Sequence, residues 1–318
     1  MINNYGSWLH SSQLCEVKTM KKKIILITGA SSGIGKETAL ALAKQGHKII
    51  IHGRNPEKTK KVYETIINEN GNKDIDMYTA DLSLMSEVKK FANKIIEHYD
   101  HIDVLVNNAG GQFGGTREVT AEGHEKTLAI NTLYPFLLTN LLLPLLMKSK
   151  SARIVTVASE SYRQGGKPIY DDIELERNYS LFKSYGLSKL YVWWIMRQFA
   201  TRLKEKGINN VTVNTVEPGS AITSLARVSM KKHPLMLIIS ILWLPFMRSA
   251  KYGAKTSIYM ATSENAEGVT GKFYGKCKEK NINKKWLSEE GEQKIWDFCI
   301  HACEPYLTRN EILEEVSE

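Results

Sequence analysis

The chain has 318 residues, enough for one large α/β domain or two smaller ones, so core size does not limit it. Apolar residues make up 42% and charged residues 24%, which excludes a disordered, collagen-like or disulfide-dense chain. Lys and Arg outnumber Asp and Glu 43 to 34, a net charge of +9 that would suit a nucleic acid, a polyanionic cofactor or an acidic membrane surface equally.

Residues 1–20 lack the apolar core of a secretory signal, and Lys21, Lys22 and Lys23 stand directly before a predicted strand. Lys23–Thr28 is that strand, Gly29 breaks it, and small and apolar residues recur at helical spacing from Ile34 to Lys44 until Gly46. The reading continues with a strand at His47–His52, a polar helix at Pro56–Glu69, a strand at Ile75–Asp81 and an amphipathic helix at Ser86–Tyr99. Val104–Val106 begins a fourth strand, Gly110–Gly115 is a glycine-rich loop, and Thr120–Met147 has helical character. Within it, the apolar run Leu133–Met147 is too short to span a bilayer and predicts a buried core helix. Ala152–Ala158 is a fifth strand, Leu187–Lys204 a helix, and Val211–Val216 a sixth strand closed by Pro218 and Gly219.

Strands alternating with helices of this length predict one doubly wound α/β domain, a parallel sheet covered on both faces, over residues 22–276. Residues 1–21 are an N-terminal extension, and 277–318 a charged, partly helical accessory tail. Pro234–Met247, inside a predicted flap at about 220–250, has two readings: a helical flap over an apolar pocket, or an interfacial membrane anchor. Cys15, Cys277, Cys299 and Cys303 form no disulfide framework and no paired CxxC spacing, so neither a metal nor an oxidising compartment is expected. Cys299 and Cys303, four residues apart on a predicted helix, are expected to be buried packing.

The most informative local pattern follows the first strand: Gly29, Ala30, Ser31, Ser32, Gly33, Ile34, Gly35. Three glycines alone say little; their place between a strand and a helix matters, because glycine lets the backbone approach a pyrophosphate that the helix N-terminus then holds. The second strand ends His52, Gly53, Arg54, Asn55, where a carboxylate would bind the 2′-hydroxyl of NAD and a base would accept the 2′-phosphate of NADP. Arg54 therefore favours NADP, with Lys36 as a second positive charge.

Together with Asn107, Asn108, Ala109 and Gly110 after the fourth strand, and Tyr185, Gly186, Leu187, Ser188 and Lys189 near a helix start, these features resemble the short-chain dehydrogenases/reductases, with their Rossmann fold. The resemblance runs from about Lys22 to Lys276 and, within the family, is nearest the retinol-dehydrogenase-like and carbonyl-reducing members. It implies that Asp81, with Leu82, meets the adenine, that Asn107–Gly110 support the cofactor and the central sheet, with Asn108, Ala109 and Gly110 at the cofactor, and that Pro218, Gly219 and Thr223 reach its nicotinamide end. It also implies a substrate-binding hydroxyl at Ser159, with Ser161 the rival by register, and a proton-relay role for Asn131. Two departures bear on the substrate: Thr132–Pro135 replaces a His/Gly-containing run after Asn131, and Glu217 stands where His or Asn is usual.

Three Tyr-x-x-x-Lys pairs occur: Tyr179 with Lys183, Tyr185 with Lys189, and Tyr274 with Lys278. Only the second leads straight into a long apolar helix, which puts both side chains on one face. Reducing a carbonyl requires an acid, and a phenol with its usual pKa of about 10 is weak at neutral pH. The Lys189 ammonium is expected to lower it. The expected activity is NADP(H)-dependent interconversion of a ketone or aldehyde and its alcohol on a lipophilic retinoid, steroid or fatty aldehyde; the alternative is a non-catalytic dinucleotide-binding regulatory or scaffold protein. No nucleic-acid module is visible. The expected location is cytoplasmic, with peripheral membrane contact through 234–247 left open.

Overall fold

The computed structural model describes residues 21–219, 249–308 and 311–313. Among them, β1 (Ile24–Ile27), β2 (Lys48–Gly53), β3 (Ile75–Thr79), β4 (Val104–Asn107), β5 (Ala152–Val157), β6 (Val211–Glu217), β7 (Phe273–Gly275) and β8 (Lys278–Glu279) form one sheet in the order β3-β2-β1-β4-β5-β6-β7-β8. The strands through β7 pair in parallel and β8 closes the edge antiparallel. Their apolar runs follow from burial on both faces. In β1, Ile25 and Ile27 enter one hydrophobic cluster while Leu26 enters the other, the two-residue alternation of a pleated strand. Strand order reverses between β1 and β4, so a crevice opens there at the carboxyl ends.

One face is covered by α1 (Gly33–Lys44), α2 (Pro56–Asn70) and α6 (Ala250–Thr262). The other is covered by α3 (Met85–His98), α4 (Lys126–Met147), α5 (Leu181–Glu205) and α7 (Glu289–Cys303). Helix α4 is long and apolar enough to cross a membrane, but 83% of its most apolar stretch is buried inside the protein, where it serves as the expected core helix. It winds as a π-helix over Ala129–Leu133.

Two predicted helix starts move. Helix α4 begins at Lys126 instead of Thr120, because Thr120–Gly123 closes a turn with Gly123 at φ +91° and Glu125 caps the helix by accepting from the N–H groups of Thr127 and Leu128. Helix α5 begins six residues before Leu187, because Ser180 accepts from the Lys183 N–H as its N-cap. Tyr185 consequently sits inside the helix. The charged tail is not an appendage in its packing: Ile295, Trp296, Cys299 and Cys303 of α7 are buried in the larger cluster against α5. The predicted flap with Pro234–Met247, the site residue Thr223, and residues 1–20 lie outside the described residues.

Candidate active site

A cleft of about 660 Å³ lies along the carboxyl ends of β1, β2, β4, β5 and β6, a volume suited to a cofactor-sized ligand. Its floor begins at the β1–α1 turn. Gly29 has φ +66°, and a Cβ there would stand 2.7 Å from Ala109 Cα, so the turn lies directly on the segment after β4. A Cβ on Gly35 would meet the Asn108 side chain at 2.3 Å and Gly29 O at 2.5 Å. Asn108 Nδ2 donates to Thr28 O at 2.8 Å, and Thr28 Oγ1 accepts from the N–H groups of Asn108 and Ala109 at 3.0 and 3.1 Å. Tyr134, from α4, donates to Ala109 O at 3.1 Å. The two cleft-lining loops are thus one hydrogen-bonded unit.

The N-terminus of α1 faces this cleft with Ser31, Ser32, Gly33, Ile34 and Gly35 on its wall. Ser32, the N-cap, makes no side-chain capping bond, and the first turn holds no carboxylate. Its N–H groups lack intrahelical partners, which with the glycine cradle fits a pyrophosphate. At the same end, Arg54 is 65% exposed and 3.9 Å from Asp81. Asp81 Oδ1 accepts from the N–H and hydroxyl of Ser83, at 3.0 and 2.7 Å, while Oδ2 faces the guanidinium, whose exposure leaves it accessible to a ligand. Lys58 lines this end; Lys36, the expected second positive charge, does not.

Sequence reasoning missed His52. Its Nδ1 accepts from the Gly29 N–H at 3.3 Å while Nε2 donates to Ala80 O at 3.1 Å, so the neutral ring ties the glycine turn to the strand end before Asp81. Burial pushes its pKa down to about 4.

At the other end, Ser159, Tyr185, Lys189, Pro218 and Gly219 line the cleft together. Ser161 does not; its N–H donates to Ser159 Oγ at 3.1 Å, and its hydroxyl accepts from Ser159 at 3.0 Å, so it orients the serine that faces the cleft. Of the other pairs, Tyr179 donates to Gly114 O at 3.0 Å and Tyr274 lies in β7; neither lines the cleft. A second missed feature sets the Ser159–Tyr185 spacing. Cβ atoms on Gly165 and Gly186 would each meet the other's backbone, at 2.8 and 2.4 Å, so α5 rests directly on the 3₁₀ turn Glu160–Gln164 that Ser159 caps.

The sequence model of the short chain dehydrogenase family matches residues 23–233. Human retinol dehydrogenase 14 is 34% identical over 295 residues, covering 88% of this chain and 85% of that protein, and human retinol dehydrogenase 13 is 33% identical over 282 residues, covering 87% and 83%. The chain belongs to the short-chain dehydrogenase family. It is an oxidoreductase of its retinol-dehydrogenase-like branch, acting on CH–OH groups with a nicotinamide dinucleotide. Among solved structures, an uncharacterized protein from Mycobacterium paratuberculosis superposes with a TM-score of 0.70 at 25% identity, covering 89% of this chain and 93% of that one. A Shigella flexneri short chain dehydrogenase complexed with NADP superposes with a TM-score of 0.62 at 25% identity, covering 82% and 99%.

In this dehydrogenase the expected acidification of Tyr185 is reversed: burial raises its pKa, and a hydrogen bond with Ser159 only partly offsets that. Lys189 does not offset that burial. Its Nζ lies 5.8 Å from the Tyr185 ring centroid and donates to Val157 O at 3.1 Å, and burial lowers its own pKa to about 8. Asn131, in the π-helical turn, does not line the cleft. Its amide is committed to Gly111 N and O, at 3.0 and 2.8 Å, and to Ser188 Oγ at 3.0 Å.

Proposed function

We propose that the protein is an NADP(H)-dependent oxidoreductase interconverting a ketone or aldehyde and its alcohol on a lipophilic substrate of the retinoid, steroid or fatty-aldehyde class. The observation that carries the chemistry is the meeting of Ser159, Tyr185 and Lys189 at one end of the cleft, with Arg54 and Lys58 at the other. NADP preference is supported by those two cations, by the lack of a carboxylate at the end of β2, and by the NADP-bound Shigella relative. The lipophilic class is supported by the relatives named retinol dehydrogenases.

A nicotinamide held here supplies or accepts the hydride. Tyr185 gives its proton to the substrate oxygen in reduction and takes it back in oxidation. Ser159 turns its hydroxyl proton from Ser161 Oγ to that oxygen as its charge develops, while the Ser161 N–H keeps hold of Ser159 Oγ. Lys189 remains mostly charged at neutral pH and supplies a positive field behind the phenol. Asn131 connects the loop at Gly111 to Ser188, one residue before Lys189, and supports the relay from the far side. Gly29, Gly33, Gly35, Asp81, Leu82, Asn108, Ala109, Gly110, Pro218, Gly219 and Thr223 complete the proposed dinucleotide site.

The test is NADPH absorbance followed against a panel of retinal, steroid ketones, fatty aldehydes and quinones, with Tyr185→Phe as control. Turnover of apolar carbonyls, lost in Tyr185→Phe while NADPH binding persists, is the expected result. An active Tyr185→Phe would refute the assigned acid, and a preference for small polar carbonyls would refute the substrate class.

A further inference from the structure

Glu217, one of the two departures from the family pattern, ends β6 with its side chain only 6% exposed. One oxygen accepts from the Gly219 N–H at 2.7 Å and the other from Lys280 Nζ at 3.0 Å. The same ammonium also binds Glu160, the residue after Ser159. A single lysine from beyond β8 therefore grips both chain segments that leave the sheet at the Ser159–Gly219 end of the cleft.

The local backbone is built around this contact. Lys276 and Cys277 both have positive φ, 54° and 59°, in the two-residue turn joining β7 to β8. That turn favours glycine or asparagine, so its lysine and cysteine are held there by their surroundings. The turn carries the chain back so that Lys280 N donates to Phe273 O at 2.8 Å. Glu217 is level with Gly275 in the ladder, and a Cβ on that glycine would stand 2.4 Å from Glu217 Oε1 and 2.7 Å from Lys280 Cδ.

We propose that Lys280 is a positioning residue for dinucleotide binding, locking the Glu217 carboxylate onto the Gly219 N–H and thereby shaping the far half of the cleft. The proposal rests on reading the cleft as a dinucleotide site. It is directional: β2, with Arg54 beyond its end, and β6 are four strand spacings apart, about 19 Å. A change at Lys280 should thus be felt by a whole dinucleotide and not by its phosphoadenosine half.

The experiment is calorimetric titration of the full chain with NADPH and with adenosine 2′,5′-bisphosphate, for wild type, Lys280→Met, Lys280→Arg and Glu217→Gln, at low and high salt. Losing one charge-assisted contact should weaken NADPH about tenfold in Lys280→Met and in Glu217→Gln, which keeps an acceptor for Gly219 but loses the ion pair. Bisphosphate affinity should stay within about twofold, and Lys280→Arg should restore most NADPH affinity. The NADPH deficit should persist at high salt, unlike loss of a general attraction for phosphate. NADPH affinity unchanged in both Lys280→Met and Glu217→Gln, or equal loss for the two ligands, overturns the proposal. A wild type that binds neither ligand overturns the dinucleotide reading beneath it.

Discussion

Gly186→Ala is a one-methyl perturbation whose sign can be worked out from two opposed magnitudes. Inside α5, alanine should stabilise the helix by up to about 1 kcal/mol relative to glycine. Against this, the new Cβ would stand 2.4 Å from Gly165 N, 2.6 Å from Gly165 Cα and 2.8 Å from Ser161 O. All three are backbone atoms, so no rotamer change relieves the contact. Reaching the 3.4 Å of ordinary contact requires α5 and the Glu160–Gln164 turn to separate by about 1 Å. Tyr185 is the residue before Gly186, and Ser159 caps that turn, so the same movement opens the gap between hydroxyl and phenol. A misplacement of that size can reduce turnover on the order of a hundredfold. The assay is kcat with a saturating carbonyl substrate, alongside NADPH affinity and thermal unfolding. The expected variant is folded, binds cofactor within a few-fold of wild type, and is slow. Wild-type kcat in Gly186→Ala would refute the idea that this glycine contact sets the catalytic spacing.

Arg54→Asp should shift the NADPH to NADH affinity ratio by at least about tenfold, since it replaces a charge-assisted phosphate contact with a repulsive one. A ratio unmoved in titrations of both cofactors would show that Arg54 does not read the 2′-position. His52, held near pKa 4 when folded against 6.5 when free, contributes stability that is complete above pH 6.5 and is lost as pH falls toward 4. The full loss is about 3 kcal/mol, so His52→Gln should flatten the denaturation midpoint between those pH values; an equal acid slope in both proteins would contradict it. Trp296→Ala removes a buried ring 4.8 Å from Phe199 and 5.1 Å from Phe136 and should cost about 3–5 kcal/mol in denaturant melts while leaving kcat at low temperature unchanged. A loss below 1 kcal/mol would mean that the tail is packed more loosely than its burial implies.

The parts of the fold that were legible in the sequence are those whose signal is local and repeats. The β1–Gly29–α1 unit, the alternation through β6, the core run Leu133–Met147 and the Tyr185–Lys189 pair each declare themselves within one or two helical turns. Features that depend on contacts between distant segments were not legible. Gly165 and Gly186 look like two ordinary glycines until α5 is laid on the 3₁₀ turn, and His52 reads as one more strand residue until Gly29 and Ala80 are placed on either side of its ring. The α7 stripe of Ile295, Trp296, Cys299 and Cys303 has helical spacing, but it is embedded among charges, and composition outweighed periodicity. Lys36 and Lys58 illustrate the same limit. Both follow turns at the cleft, and only the path of the helices decides which ammonium turns toward it.

The electrostatics of the catalytic pair required the structure most of all. From sequence, a lysine one turn from a tyrosine argues for an acidified phenol, because proximity of opposite charge is the only term that spacing reveals. Burial is the other term, and here it acts on both groups, raising Tyr185 and lowering Lys189. With its Nζ drawn to Val157 O, Lys189 sends its field to the phenol from beyond the ring instead of through a direct contact. The protein alone therefore holds Tyr185 protonated at neutral pH, the state needed to donate to a carbonyl oxygen. Removing that proton for the reverse reaction requires positive charge near the ring, and among the described residues Lys189 lines the cleft beside it. Burial and the direction of one ammonium thus set the resting state of the phenol, with the charge that favours phenolate lying 5.8 Å from the centroid of its ring.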